Sequence, residues 1–414
     1  SFTRGSLGVT RKGTTIDYVT AAARGAREEA AEALHLVVVS GLDGSPRSYR
    51  NAWTLLSGWQ ELPEDLRQQV RLTVVLCANP DGAEVGAGPK NTSGGNPTRG
   101  YPPAGSAYNS PSDPESAYLW RWLGMQAPHA VVVLADGTRA GWLAADFSSE
   151  PYGESSFAAK LAKQLAAKPW EGADDALVPQ LTKAKPANVG SIPALEYRTA
   201  ENLGSEFLLQ LVGACRAAEP SPSAAEVELA RRRQRAPLEV AKDLSRFYGH
   251  NLQDVVYIPA VALIGRLRLA ELSGDKQHRA DVERIVAPYR SGEKPSLPGK
   301  ASGSHLSGHL VFAELARLSP PDSPERKAYL ELARQPADLA FDGQGQPRAS
   351  LPYHNEMSDA VFMGCPILAK VGKLSGEARY YDACLRQLRF MQGLCLREDG
   401  LYRHSPLDEA AWGR

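Results

Sequence analysis

Short apolar runs alternate with helix-like segments over the first half of the chain. Runs rich in β-branched residues predict strands, and they are "LHLVVVS" (34–40), "VRLTVVL" (70–76) and "AVVVLA" (130–135). Helical patterns lie between and after them, at 48–60, 114–126, 156–168 and 201–217. Continuous apolar strands alternating with helices predict an α/β fold, in which a mainly parallel sheet is covered on both faces.

Two polar features of this half are predicted to lie at the surface. The stretch 87–113 is built mainly from Gly, Pro, Asn and Ser, and it is too long to be a simple connector. His129 follows Pro128 at the start of a predicted strand. Neither feature carries a chemical motif by itself.

The pattern changes at "AAEPSPSAAE" (217–226), after which strand patterns nearly vanish and helical ones prevail. A chain of 414 residues is also too long for one ordinary core. We therefore expect an α/β domain at 1–217, a linker or first helix at 218–240, and a helical domain at 241–414.

A loose repeat runs through the helical half. "LIGRLRLAELSGD" (263–275) and "ILAKVGKLSGEARYYDACL" (367–385) share spaced leucines followed by Ser-Gly-acid at a helix end. "LVFAELARLSPPDSPERKAYLELA" (310–333) has the same form, with proline in place of glycine. Turns that recur at about the length of a helix hairpin predict stacked helical units that share one core.

Composition excludes several classes of protein. Hydrophobic content of 43% and charged content of 23% are typical of a globular protein. Because 47 basic residues balance 47 acidic ones, we expect neither nucleic acid nor a membrane as partner. The five cysteines are widely spread and form no C-x-x-C pair, so they indicate neither a zinc knuckle nor a disulfide framework.

Glycine-bracketed loops follow two of the predicted strands, as "SGLDGSP" (40–46) and "ANPDG" (78–82). Two further stretches are "SPSDPESAYLWRWL" (110–123) and "APHAVVVLADG" (127–137). On the basis of these four stretches, roughly residues 30–215 resemble the zinc metallocarboxypeptidase family. The resemblance implies a carboxypeptidase-like sheet. It places the family's three zinc ligands at Asp43, Pro46 and Ala135, and its general base at Glu196.

These residues depart from that family's zinc site. Pro46 and Ala135 cannot ligate a metal, and Asp43 alone cannot supply the three or four donors that zinc requires. Without the metal, Glu196 has no bound water to activate. We therefore expect no metal, no cofactor and no peptidase activity in this domain.

One acidic residue in the helical half, Asp359 in "YHNEMSDAVFMGCP" (353–366), stands at the head of an apolar helical run. Aspartate commonly caps helices, so a purely structural role is one interpretation. The other interpretation is catalytic, because apolar neighbours such as Met357, Phe362 and Met363 raise the pKa of a carboxyl group by desolvation. This stretch alone leaves both open.

Two longer stretches favour the catalytic interpretation, namely "NEMSDAVFMGCPILAKVGKLSGEARYYDACLRQL" (355–388) and "DGLYRHSPLDEAAWGR" (399–414). They resemble the unsaturated glycuronyl and rhamnogalacturonyl hydrolases of glycoside hydrolase families 88 and 105. A weaker match at about 245–350 includes Tyr257. The resemblance implies an all-α, (α/α)6-barrel-like domain. Since that family continues beyond Trp-Gly-Arg and this sequence opens without methionine, we expect a fragment with an incomplete barrel.

The resemblance also implies a reaction and a site. The substrate is an unsaturated oligouronide left by a polysaccharide lyase, and Asp359 protonates C4 of its C4=C5 bond so that water adds at C5. Substrate-binding residues are expected at His404, Trp412, Arg414, Tyr257, Met363 and His305. Arg414 could hold the uronate carboxylate, and Trp412 offers the sugar ring a flat apolar surface.

Other functions stay open at this point. The chain could instead be a non-catalytic carbohydrate-binding or scaffold protein in which both sites have decayed. A zinc peptidase is disfavoured by the missing ligands. The sequence names neither the polysaccharide nor the compartment, for which a periplasmic or secreted location is favoured slightly over the cytoplasm.

Overall fold

A computed structural model describes residues 1–22, 33–103, 110–353 and 356–406. The chain divides into two compact units, Ser1–Gln234 and Arg235–Arg414. The predicted linker at 218–240 includes a helix, Ala224–Gln234, whose Ala225 and Leu229 lie in a hydrophobic core of the first unit. Among the described residues, none of the helices has the length and hydropathy needed to cross a bilayer.

The first unit is built on one mixed sheet. Its strands are β1 (Phe2–Val9), β2 (Thr15–Ala21), β3 (Leu34–Val39), β4 (Val70–Val75), β5 (Ala130–Asp136), β6 (Gly141–Ala144), β7 (Lys168–Pro169) and β8 (Ala194–Thr199). They are ordered β1-β2-β4-β3-β5-β8-β6-β7. The run β4-β3-β5-β8 is parallel, and β1, β2 and β6 add antiparallel pairs. The predicted mainly parallel sheet is thus confirmed, with antiparallel additions that the sequence pattern did not reveal.

Helices and a 3₁₀ turn at Pro186–Asn188 accompany the sheet. The helices are α1 (Pro46–Glu61), α2 (Glu64–Gln69), α3 (Pro80–Glu84), α4 (Pro114–Gln126), α5 (Phe157–Gln164), α6 (Leu177–Lys183), α7 (Ser205–Ala217) and α8 (Ala224–Gln234). The start of α1 is specified locally, because Ser45 caps the helix through the backbone N–H of Arg47 and Pro46 occupies its first turn. Asp113 caps α4 in the same way.

Two hydrophobic cores cover the two faces of this sheet. Along β3, Leu36 and Val38 belong to one core and Val37 and Val39 to the other, so both faces of the strand are buried. This arrangement explains why the strand reads as a continuous apolar run rather than an alternating one.

The two polar features predicted at the surface are partly buried. Within the described part of 87–113, Asn91 is buried and Tyr101 is fully buried, with its hydroxyl group donating to the carbonyl of Pro97. His129 is also buried, and its Nδ1 accepts a hydrogen bond from the backbone N–H of His35. The surface prediction for His129 was wrong, because a backbone partner distant in sequence satisfies its ring nitrogen inside the fold. The stretch 87–113 has buried anchors, but most of its described residues are half-buried or exposed, as expected of a surface loop.

The second unit is helical over its described residues. It contains α9 (Pro237–Ser245), α10 (Tyr257–Ser273), α11 (Lys276–Arg290), α12 (Gly303–Gly308), α13 (Leu310–Leu318), α14 (Pro324–Asp338), α15 (Ala360–Ser375) and α16 (Ala378–Cys395). Short turns join α10 to α11, α13 to α14 and α15 to α16, and the members of each pair pack together. The predicted helix hairpins are therefore confirmed.

The repeated Ser-Gly-acid turn ends two of these helices. Gly274 after α10 and Gly376 after α15 each have a φ of 75°, in the left-handed region that closes a helix C-terminus. Glycine adopts this conformation without the steric cost that a Cβ atom imposes. The sequence repeat thus reflects a repeated C-cap, and the paired helices share one hydrophobic core.

Candidate functional site

Asp359 lies at the N-cap position of α15, as the sequence predicts. Its backbone is nevertheless helical, with φ −67° and ψ −12°, and its side chain makes no capping hydrogen bond to the first turn. Its carbonyl oxygen accepts from the backbone N–H of Met363 at 2.9 Å. The geometry therefore does not support capping as the reason for an acid here.

The apolar residues after Asp359 divide between the core and the surface. Met363 is buried, and its Sδ accepts a hydrogen bond from Ser307 Oγ of α12 at 3.2 Å. Phe362 is 43% exposed, and its ring meets the edge of the Tyr257 ring with 6.1 Å between centroids. The first turn of α15 thus contacts both α12 and the start of α10.

Tyr257 is the first residue of α10, and it also contacts α12. Its backbone N–H donates to Ser304 Oγ at 3.4 Å. The beginnings of α10, α12 and α15 are therefore linked through Tyr257, Ser304 and Phe362.

His305 is half-buried in the first turn of α12. The backbone N–H of Ser302 donates to its Nδ1 at 3.1 Å, and Ser302 Oγ lies 2.9 Å from the same nitrogen. Since Nδ1 is an acceptor, the neutral ring carries its hydrogen on Nε2. Ser302 thus fixes the tautomer and leaves His305 with an Nε2–H that can donate.

His404 is brought next to the segment that carries Asp359. Its carbonyl oxygen accepts a hydrogen bond from the backbone N–H of Ser358 at 2.7 Å. The residue before Asp359 is therefore joined directly to His404, which lies beyond the end of α16. Trp412 and Arg414, the other residues expected here, lie outside the described residues.

His309, a buried residue between α12 and α13, contacts the backbone of His305. His309 Nδ1 lies 2.6 Å from the carbonyl oxygen of His305, and its Nε2 lies 3.1 Å from Ser296 Oγ. Ser296 in turn donates to Gln335 of α14 at 3.0 Å. Burial lowers the pKa of His309 to about 4, so the ring is neutral at physiological pH.

Helix α13 carries a buried carboxylate that the sequence pattern did not single out, Glu314, which is 2% exposed. Arg268 of α10, Arg317 of α13 and Lys370 of α15 each approach it to 2.9 Å. Burial opposes its charge, but hydrogen bonds from Arg317 and Lys370 outweigh that effect and lower its pKa. The ion pairs connect α15 with α10 and α13. An acid within the apolar run "LVFAELARL" was the available signal.

In the first unit, three of the residues aligned with a zinc site line one small cavity of about 50 Å³: Asp43, Ala135 and Glu196. Asp43 accepts hydrogen bonds from the backbone N–H groups of Ser45 at 3.0 Å and Asp136 at 2.9 Å. Pro46 instead begins α1.

Glu196 has a partner of its own. Arg198 Nε donates to its carboxylate at 2.5 Å, while burial raises the pKa of Glu196. In the described part of the chain, no group of three or more His, Cys, Asp or Glu residues is placed to hold a metal ion. The absence of zinc from the complete protein stays a prediction.

Comparison with known proteins assigns a family to the helical part. Residues 239–410 match the model of Glycosyl Hydrolase Family 88, which confirms the resemblance found in the sequence. The C-terminal unit is thus similar to the glycoside hydrolase domains of this family. No curated protein sequence matches the chain.

Solved structures similar to this chain include metallocarboxypeptidases. A metallo-carboxypeptidase from Burkholderia cenocepacia is 15% identical, covers 52% of this chain and has a TM-score of 0.40. Carboxypeptidase A from Helicoverpa armigera is 14% identical, covers 52% of this chain and has a TM-score of 0.33. This chain spans 63% of the first structure and 66% of the second.

Proposed function

We propose that the C-terminal unit removes a 4,5-unsaturated uronic acid from oligosaccharides made by polysaccharide lyases. The observation that carries the proposal is the position of Asp359. It lies within the family match and begins a helix without making a capping hydrogen bond, and its segment adjoins the Phe362–Tyr257 ring pair and His404. The N-terminal unit is proposed to lack peptidase activity, since Pro46 and Ala135 replace zinc ligands.

The reaction that we propose uses one carboxyl group twice. The Asp359 carboxyl donates its proton to C4 of the C4=C5 bond, and positive charge develops at C5 beside the ring oxygen. Water then adds to C5 while the Asp359 carboxylate takes up a proton from it, which restores the acid. The resulting hemiketal opens, and the shortened oligosaccharide is released. Ordinary glycosidases differ because two carboxyl groups flank the glycosidic bond.

The other site residues are proposed to bind and orient the sugar. The His305 Nε2–H is suited to donate to a hydroxyl or carboxylate oxygen, since Ser302 holds the ring by its Nδ1. Tyr257 and Phe362 offer aromatic surface at the helix beginnings, and Met363 is buried in the same turn of α15, where its Sδ accepts from Ser307. His404, Trp412 and Arg414 complete the proposed set, with Arg414 holding the uronate carboxylate.

The direct test replaces Asp359 with asparagine and follows the loss of the ultraviolet absorbance of the unsaturated uronate. The asparagine amide cannot donate a carboxylic proton, and general acid–base catalysis contributes about 10²–10⁴-fold. We expect Asp359→Asn to slow turnover by that factor while the melting temperature changes little, because asparagine keeps the size of the side chain and an oxygen that can accept hydrogen bonds.

Glu356→Gln is a matched control, since it neutralises a second carboxyl group in the same segment. It should keep activity near that of the unaltered protein. If Asp359→Asn kept full activity, Asp359 would not be the general acid. If the unaltered protein converts no unsaturated oligouronide, the hydrolase proposal is wrong and the non-catalytic alternative gains support.

A further inference from the structure

A groove crosses the surface of the first unit between the β1–β2 edge of the sheet and helix α1. Two adjoining cavities of about 360 Å³ and 310 Å³ form it, and both are lined by Arg4 and Trp53. The combined space is within the range of sites that bind small ligands. The groove shares none of its lining residues with the small cavity of Asp43 and Glu196.

Three aromatic rings stand exposed along this groove. Phe2 is 42%, Tyr49 is 40% and Trp53 is 46% exposed. Tyr49 and Trp53 are one helical turn apart on α1, and their rings lie at 90° with 6.4 Å between centroids. Phe2 of β1 packs edge-on against the buried Trp59. The rings are therefore held by the fold while leaving much of their surface to solvent.

Polar groups lie beside each of these rings. Arg4 pairs with Asp17 at 2.5 Å, and its side chain is mostly exposed. Glu84 and Thr15 line the same cavity as Tyr49, whereas Thr3, Ser57 and Gln60 line the cavity beside Phe2. The lining therefore combines flat apolar faces with carboxylate, guanidinium, amide and hydroxyl groups.

This combination matches the chemistry of a sugar chain. One face of a pyranose ring presents C–H groups that pack on an aromatic ring, while its hydroxyl groups both donate and accept hydrogen bonds. Among the described residues, the charged side chains that line the groove are one guanidinium and two carboxylates, Arg4, Asp17 and Glu84. Their excess of negative charge disfavours a polyanion and favours neutral sugars.

We propose that this groove is a carbohydrate-binding site for a chain of neutral sugar residues. Trp53, shared by both cavities, packs against a central sugar ring, and Tyr49 and Phe2 contact its neighbours. Asp17 and Arg4 hydrogen-bond hydroxyl groups between them. The site would hold the protein on a polysaccharide, a binding function separate from hydrolysis of an unsaturated uronate.

The test measures retardation of the whole protein in native gels that contain a neutral polysaccharide. Xyloglucan, galactan and arabinan serve as probes, and polygalacturonate is the acidic comparison. We expect at least one neutral polymer to retard the protein more than polygalacturonate does. Trp53→Ala should weaken that binding roughly tenfold or more, a change of about 1.4 kcal/mol. Its melting temperature should stay close to that of the unaltered protein, since the side chain is 46% exposed.

Phe247→Ala is the matched control, because Phe247 is an exposed aromatic residue of the other unit, at 77%. It should be retarded like the unaltered protein. The inference is overturned if no neutral polymer retards the protein, if Trp53→Ala is retarded equally, or if polygalacturonate binds best. Loss of binding in Phe247→Ala would likewise contradict it. None of the neutral probes carries an unsaturated uronate, so the result does not depend on the proposed hydrolase activity.

Discussion

The buried ring of His309 shows how one residue can make folding depend on pH. Its Nδ1 lies 2.6 Å from the carbonyl oxygen of His305, and because a carbonyl only accepts, this nitrogen carries the hydrogen. A second proton would place a charge in a fully buried position. Burial therefore lowers the pKa to about 4 from an ordinary value of 6.5.

Because the pKa of His309 is lower in the folded chain than in the unfolded chain, we expect the protein to lose stability in mild acid. Between pH 6.5 and about 4, the unfolded chain binds a proton that folded His309 does not, so the free energy of unfolding falls as pH falls. The slope approaches about 1.4 kcal/mol per pH unit, and the total is roughly 3 kcal/mol. Denaturant unfolding at a series of pH values measures it.

His309→Gln provides the comparison, since its amide can still donate to the His305 carbonyl but does not titrate. The variant should show a shallower decline over the same pH range, whatever its absolute stability. His35 and His129 of the first unit, whose pKa values are also lowered, contribute equally to both proteins. Identical slopes would show that His309 is not the titrating group.

At the scale of elements, the site depends on a close approach between α12 and the segment before α10. A Cβ atom added to Gly308 would lie 2.3 Å from the carbonyl oxygen of Val255 and 2.8 Å from the backbone nitrogen of Val256. Tyr257 follows at once, so this contact helps to place the tyrosine beside Ser304 and Phe362. Backbone atoms cannot move aside as a flexible side chain can.

Gly308→Ala should therefore destabilise the helical unit by about 1–3 kcal/mol, the usual cost of overpacking. Gly265→Ala is the control, because Gly265 lies in α10 with open space around its Cα, where alanine favours helix formation by roughly 0.5–1 kcal/mol. Denaturant unfolding should give effects of opposite sign. If Gly308→Ala left the free energy of unfolding unchanged, α12 would have to be able to shift away from Val255 without cost.

At the scale of the molecule, the cores belong to separate units. Two cores of the first unit cover the sheet, and the main core of the second joins the helix hairpins. Over the part of the chain that the structure describes, none of these cores includes residues from both units. Proteins with separate cores commonly depart from two-state unfolding.

Calorimetry should therefore show two unfolding transitions that respond to different substitutions. Leu36→Ala in β3 and Leu368→Ala in α15 each remove a fully buried side chain, at a cost of about 2–5 kcal/mol. Each substitution should lower the midpoint temperature of one transition and leave that of the other unchanged. A single transition that both substitutions lower would mean that the units unfold together.

Local chemistry determined a large part of this protein. Apolar β-branched runs placed β3, β4 and β5 correctly, because a strand buried on both faces needs no polar positions. Ser-Gly-acid turns marked the ends of α10 and α15, since glycine alone adopts the closing conformation at low cost. The start of α15 at Asp359 and the match to the hydrolase family could likewise be read from short stretches.

Tertiary structure decided what depends on residues distant in sequence. The antiparallel strands β1 and β2, the burial of His129 and the cations around Glu314 each need a partner that local pattern does not specify. The link between Ser358 and His404, and the groove from Phe2 to Glu84, arise in the same way. Propensity and hydrophobic period act over a few residues, whereas a site is formed by contacts that only the folded chain brings together.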